Sequence, residues 1–205
     1  MSSLVESAVA TLESMGWKVI RASDRTAAGQ ILQELVGESQ RAVAHYPSVG
    51  DLLDLSQILG PRLVPEAARG AILTADFGIT GATAIVAATG SVMLAEEDGS
   101  GRLISNLPYR HIVLAASDQV VADLDDALTR AGWRRSEVAP KGGGAGGNGA
   151  DGNGPGRRGK GSPVPRYISF ITGPSKTGDI EFEIVAGMHG PRYVWLILLD
   201  SPPGR

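Results

Sequence analysis

The sequence predicts an α/β fold with a largely parallel sheet flanked by helices, and two observations carry that expectation. Segments with helical apolar spacing alternate with short β-type apolar runs, as they do where crossover helices join parallel strands. Two late runs, 167–171 and 194–199, are almost continuously apolar, which suits strands buried on both faces. The 205 residues, 42% apolar and 20% charged, can bury a substantial core, and one domain spanning 1–205 is expected.

Leu4, Val5, Ala8, Val9, Leu12 and Met15 recur at helical spacing, and Gly16 falls where a helix stops. Residues 17–21 read as a short strand. Ser23 or Asp24 can cap a second helix through Val36, with Ala27, Ile31, Leu32 and Leu35 on its apolar face. Residues 42–45 read as a second strand. Pro47, Gly50, Gly60, Pro61 and Pro65 mark a turn-rich stretch with a short helix at 51–59, followed by a strand at Leu63 and Val64. Three more strands are expected at 84–88, 91–95 and 111–115, and Asp98-Gly99-Ser100-Gly101 reads as a hairpin tip. Ser117 or Asp118 should cap a helix carrying Val120, Val121, Leu124, Ala127 and Leu128, which ends before Gly132.

Composition excludes several function classes. The net charge is −3, with 19 basic residues against 22 acidic ones, so the basic excess of a protein that coats nucleic acid is missing. The absence of cysteine removes disulfides, thiol nucleophiles and thiolate ligands for zinc or iron–sulfur clusters. Glu6 and Glu13 interrupt the amino-terminal segment, which has neither the basic start nor the apolar core of a secretory signal. The run at 194–199 is too short to span a bilayer, and a cytoplasmic protein is expected. Between 140 and 165 the composition shifts to glycine with Asn, Pro and a few basic residues. Such a segment cannot bury enough apolar surface to offset its ordering entropy, so a mobile surface loop is expected there.

Two phosphate-binding patterns match inside that segment, Gly154-Pro155-Gly156-Arg157-Arg158-Gly159 and its extension through Lys160. Neither is delivered by a strand to a helix start, Pro163 and Pro165 follow, and Gly161 stands where a magnesium-binding hydroxyl belongs. Both read as linker. Thr172-Gly173-Pro174-Ser175-Lys176-Thr177-Gly178-Asp179 differs, because it follows an apolar strand and precedes a segment that can be helical. Free N–H groups at a helix start, the hydroxyls of Thr172, Ser175 and Thr177, and the charge of Lys176 could hold a phosphate or carboxylate. The same residues also fit an N-capped turn, with Thr177 or Asp179 as the cap, and the alternation from Asp179 to Ile184 equally permits a strand.

The three histidines, His45, His111 and His189, show no local metal-ligand spacing, and no metal site is expected. His189 lies between glycines in Gly187-Met188-His189-Gly190-Pro191, where its imidazole could transfer a proton or bind a substrate oxygen. His111 follows Pro108-Tyr109-Arg110 at a strand start and is a secondary ligand candidate beside a structural role. The glycine runs Gly78-Ile79-Thr80-Gly81-Ala82 and Ala88-Thr89-Gly90-Ser91 allow close approach of backbone or ligand, which makes Thr80, Gly81, Thr89 and Gly90 further candidates.

Taken together, Phe77-Gly78-Ile79-Thr80-Gly81-Ala82, Ala88-Thr89-Gly90-Ser91, Leu107-Pro108 with His111-Ile112, Thr172-Gly173-Pro174-Ser175 with Thr177 and Asp179-Ile180-Glu181, and Gly187 with His189-Gly190-Pro191 resemble the lactate utilization protein C family, also called the LUD domain. The resemblance runs from about residue 72 to the carboxyl terminus, apart from the glycine-rich insert. It implies a fold similar to the ribose-phosphate isomerase and CoA-transferase-like α/β group. It also implies a role with iron–sulfur partner proteins in oxidising L-lactate to pyruvate, with no cofactor in this chain and no cluster ligands in this subunit. Ala88 stands where the family usually carries an acidic residue before Thr-Gly.

The leading expectation is an accessory subunit of a lactate-oxidising complex whose 172–179 loop holds an anionic group while His189 orients or protonates it. A stand-alone enzyme on small phosphorylated or CoA-linked substrates competes with it by fold analogy. A regulatory or scaffolding module, in which the loops are structural only, is the third expectation.

Overall fold

The computed structural model of the chain describes residues 2–45, 49, 52–64, 69–133, 165–178 and 184–200. The first half comprises α1 (Ser2–Ser14), β1 (Lys18–Ala22), α2 (Arg25–Val36), β2 (Ala42–Ala44), α3 (Leu55–Leu59), β3 (Leu63–Val64), α4 (Arg69–Thr74), β4 (Phe77–Gly81), β5 (Ala84–Val86) and β6 (Ser91–Glu96). Then come α5 (Ser100–Asn106), β7 (Arg110–Ala116), β8 (Val120–Val121), α6 (Leu124–Arg130), β9 (Tyr167–Ile171), β10 (Lys176–Gly178), β11 (Ile184–Ala186) and β12 (Tyr193–Leu199). Apart from Pro165, the glycine-rich segment expected at 140–165 lies outside the described residues.

The apolar run of β12 is buried because it lies between two other strands. It pairs in parallel with β1 on one side and β7 on the other, in a six-stranded parallel sheet of order β1-β12-β7-β4-β2-β3. Alternation then divides each central strand between two cores. Ile112 and Leu114 of β7 and Ile197 and Leu199 of β12 pack with Ala28, Leu32 and Val36 of α2 and with Leu55 and Leu59 of α3. Val113 and Ala115 of β7 and Val194, Leu196 and Leu198 of β12 face Val5, Ala8 and Leu12 of α1. Each such leucine, isoleucine or valine contributes about 1.5–3 kcal/mol by leaving water. The mostly parallel sheet with helices on its faces matches the expected fold class.

The face covered by α1 also carries a second sheet of order β8-β5-β6-β9, antiparallel except for the β5–β8 pair. Ile85, Val92 and Leu94 bury its inner side, and Ala127 and Ala131 of the α6 region cover Ala84, Val86 and Met93 on its outer side. This sheet corrects one sequence expectation: β9 is not buried on both faces but is a partly exposed edge strand. Its apolar composition serves one face only.

Two helix boundaries also differ from expectation, each because a side chain takes the backbone donors. The segment 98–101 is not a hairpin tip. The Glu96 carboxylate accepts from Gly101 N at 2.6 Å and Arg102 N at 2.8 Å, which starts α5 at Ser100. Downstream, Gln119 Oε1 accepts from Ala116 N at 2.7 Å and leaves Val120 and Val121 to pair with β5. The helix therefore begins later, capped by Asp123, whose carboxylate accepts from Asp126 N at 3.0 Å. Among the described residues, no helix is long and apolar enough to cross a membrane.

Strand β4, a glycine run in the sequence, lies inside the sheet between β7 and β2. Its Gly78 is where α5 crosses: a Cβ there would overlap the carbonyl oxygen of Ile104. Gly78→Ala should therefore push α5 off the sheet and cost about 1–3 kcal/mol in urea denaturation. Gly70→Ala, in α4 with nothing nearby for its Cβ to meet, should be neutral or slightly stabilising. Equal stability of the two variants would show that this crossing is not tight.

Candidate functional site

The end of β9 is tied to the start of β6 by hydroxyls. Thr89 Oγ1 donates to Ser91 Oγ at 2.9 Å, and Ser91 Oγ lies 2.9 Å from Thr172 Oγ1. From Thr172 the chain turns beneath the end of α1. Gly173 has φ 150°, and a Cβ on it would overlap the Met15 carbonyl, so only glycine fits this crossing. Pro174 then lies against Gly16, and Ser175 joins a second loop. Ser175 N donates to Pro191 O at 2.9 Å, Gly187 N to Ser175 O at 3.0 Å, and His189 N to Ser175 Oγ at 3.4 Å.

These bonds continue into a β-hairpin, in which β10 pairs antiparallel with β11. Thr177, one of the two expected helix caps, thus lies in a strand instead. Lys176–Gly178 are strand because β11 takes up the backbone groups of β10, and the alternating segment 179–183 lies outside the described residues. Among the described residues no helix starts at this loop, and its side chains and loop N–H groups are the donors available to an anion. Asp179 lies outside the described residues.

Between the two loops and α5 lies a cleft of about 460 Å³. Thr172, Gly173, Ser175, His189, Gly190 and Pro191 form one side, and Arg102, Ser105 and Asn106 of α5 form the other. The α5 residues were missed from sequence because 98–101 read as a turn. Their spacing was the available signal, since positions 102, 105 and 106 share one face of a helix. Arg102 lies over the Tyr167 ring, 5.3 Å from its centroid, and Asn106 Nδ2 donates to Arg102 O at 2.8 Å. Gly190 brings the 187–191 loop up to Ser175 and Asn106; a Cβ on it would lie 3.4 Å from Ser175 Cβ.

Of the residues singled out from sequence, Thr172, Gly173, Ser175 and His189 converge on the cleft. Thr89 supports it through Ser91, and Gly90 packs on the Thr11 carbonyl instead. Lys176 turns toward Gly16, where its Nζ comes within 3.8 Å of the position a Cβ would take, and Thr177 belongs to β10. Thr80, Gly81 and His111 are buried in the central sheet. His111 Nε2 shares a hydrogen bond of 2.9 Å with Thr80 Oγ1, while its Nδ1 is buried without a partner. Burial pushes the His111 pKa down to about 3, so the imidazole is neutral and works as a packing and hydrogen-bonding group.

Comparison with known proteins follows these same segments. A family model described as the LUD domain matches residues 5–144 and 153–199. This chain belongs to the LUD domain family. Its interrupted match skips part of the glycine-rich insert. Among its relatives, "Lactate utilization protein C" of Halalkalibacterium halodurans is 32% identical over 142 residues, 69% of this chain and 50% of that protein. Proteins of the same name from Geobacillus sp. and Bacillus subtilis are each 30% identical over 127 residues, 62% of this chain and 43% of theirs. The chain thus spans half or less of the length of these LUD relatives. A crystal structure of a DUF162 family protein from Deinococcus radiodurans shares the fold, with a TM-score of 0.61, 15% identity and 97% of each chain covered.

The buried His111 has a pH signature. Its folded pKa lies below the ordinary 6.5, so between pH 6.5 and about 3 the unfolded chain binds a proton that the folded chain refuses. The stability it contributes is complete above that window and falls as the pH drops through it, by up to about 1.4 kcal/mol per pH unit. His111→Gln should flatten this slope in urea denaturation compared between pH 7 and pH 5. Identical slopes in the two proteins would overturn the neutral, buried assignment.

Proposed function

We propose that this LUD-domain chain is a subunit of an L-lactate utilisation system and that its cleft holds a small anionic ligand, lactate or a phosphorylated compound. The names of the relatives support the pathway. The observation that carries the ligand reading is the convergence of Arg102, Thr172, Ser175 and His189 on one cleft. A guanidinium stays charged at all physiological pH values and presents a planar donor fork that matches a carboxylate or phosphate. The hydroxyls of Thr172 and Ser175 supply further donors, and the exposed imidazole of His189 orients the ligand or exchanges a proton with it.

Oxidation of L-lactate to pyruvate removes two electrons and two protons. This chain offers no thiolate to ligate a cluster, so the proposal assigns electron transfer to iron–sulfur partner proteins and ligand positioning to the cleft. The mechanism asked of these residues is binding, orientation and proton handling at the ligand oxygens.

Titration calorimetry of the purified chain with L-lactate and with inorganic phosphate tests the cleft. Loss of a charge-assisted hydrogen bond of about 1.5–3 kcal/mol predicts that Arg102→Gln weakens binding roughly 10- to 150-fold, with a smaller loss for Ser175→Ala. Unchanged affinity in Arg102→Gln would remove the cleft from the proposal. Deletion of the gene should abolish growth on L-lactate as sole carbon source, and unimpaired growth would remove the pathway assignment.

A further inference from the structure

Beyond the cleft, two segments bring three metal-ligating side chains together. His45 follows β2 at the carboxyl end of the parallel sheet, the end where open α/β sheets place their sites, and its backbone N donates to Ile79 O at 2.9 Å. Glu96 ends β6, and Asp98 sits two residues further on, in the turn before α5. One ligand atom from each of the three lies within 4.8 Å of the others. The His45 and Glu96 side chains are only 7% and 3% exposed, whereas Asp98 faces solvent.

The spacing suits a shared ion. His45 Nε2 and Glu96 Oε2 are 3.7 Å apart, too far for a hydrogen bond. Two ligands each about 2.1 Å from a tetrahedral metal stand about 3.4 Å apart, close to the observed gap. Glu96 is oriented before any ion arrives. Oε2 accepts from Gly101 N and Oε1 from Arg102 N, and each oxygen keeps a second lone pair. Asp98 is held likewise, because its Oδ1 accepts from Ser100 N at 3.0 Å and Ser100 Oγ at 2.9 Å. A Cβ at position 101 would lie 2.7 Å from Glu96 Oε2 and 3.1 Å from His45 Nδ1, so a side chain there would displace the carboxylate. The backbone of α5 is thereby pressed against both groups and forms the wall of a cradle.

Charge points the same way. Glu96 and Asp98 bring two carboxylates together, one of them buried, and a divalent cation would compensate them in place. One imidazole nitrogen with two carboxylates is a donor set for zinc, manganese or ferrous iron, since magnesium and calcium favour all-oxygen surroundings. We propose that His45, Glu96 and Asp98 form a binding site for a divalent first-row transition metal ion. Three protein ligands leave coordination positions open on the solvent side, beside Asp98, for water or a ligand. The site does not depend on the cleft reading, although Glu96 holds the N–H of Arg102 and so links the two through α5.

The test uses the full chain stripped with a chelator and titrated with ZnCl2 and MnCl2 by calorimetry, with cobalt absorption bands reporting inner-sphere ligation. Saturable binding of a single equivalent is expected. Asp98→Asn, an exposed change, should leave the metal-free melting temperature unaltered and weaken binding at least about tenfold. His45→Gln should abolish both binding and the cobalt bands; if that variant does not fold, Asp98→Asn decides. Asp118→Asn, another exposed acid, should bind as the wild type does. Absence of saturable binding, wild-type affinity in Asp98→Asn, or an equal loss in Asp118→Asn would overturn the proposal.

Discussion

The insertion of β12 between β1 and β7 is the constraint on which the rest of the structure depends. The last described strand lies inside the central sheet, next to its β1 edge, so the first strand has no partner until the carboxyl-terminal segment arrives. Pairing of this kind joins opposite ends of the chain and is slow to form, because loop-closure entropy must be overcome before any contact repays it. Once formed, it is sealed on both faces by α1 and α2, and at its end by Arg21, whose Nε donates to Asp200 Oδ1 at 2.6 Å.

The same insertion fixes the cleft. β12 is entered through the 187–191 loop, so placing the strand also places His189 and Gly190 against Ser175, and Arg192 N against Tyr109 O at 3.0 Å. The opposite wall is fixed independently. α5 stands on Gly78 of β4 and is gripped at its start by Glu96 at the end of β6. The cleft is thus the gap between an element seated on the first half of the chain and a loop delivered by the second. One buried carboxylate sets the position of Arg102 and also faces His45, which ties the anion cleft and the proposed metal cradle to one short helix.

Much of this was legible before folding. α1, α2 and β12 were readable because their apolar periods are long and unbroken, and the loops 172–175 and 187–191 were readable because glycine, proline and hydroxyl residues concentrate there. β4 was not, because three of the five residues in Phe77-Gly78-Ile79-Thr80-Gly81 are glycine or threonine and the strand owes its conformation to neighbours on both sides. The helix cap expected at Thr177 failed for the same reason. Thr177 could equally have capped a helix or joined a strand, and pairing of Lys176–Gly178 with β11 selected the strand.

The sequence by itself determined an α/β fold with parallel strands, a chain without thiol ligands, and the four cleft residues Thr172, Gly173, Ser175 and His189, since each follows from local composition or spacing. Tertiary structure alone decided that Arg102 completes the cleft, that His111 is sealed and neutral, and that His45 meets Glu96 and Asp98. The physical reason is the same in all three cases. Burial and ligation depend on distances between segments far apart in the chain, and those distances exist only after sheet order and the crossing of α5 over β4 are set.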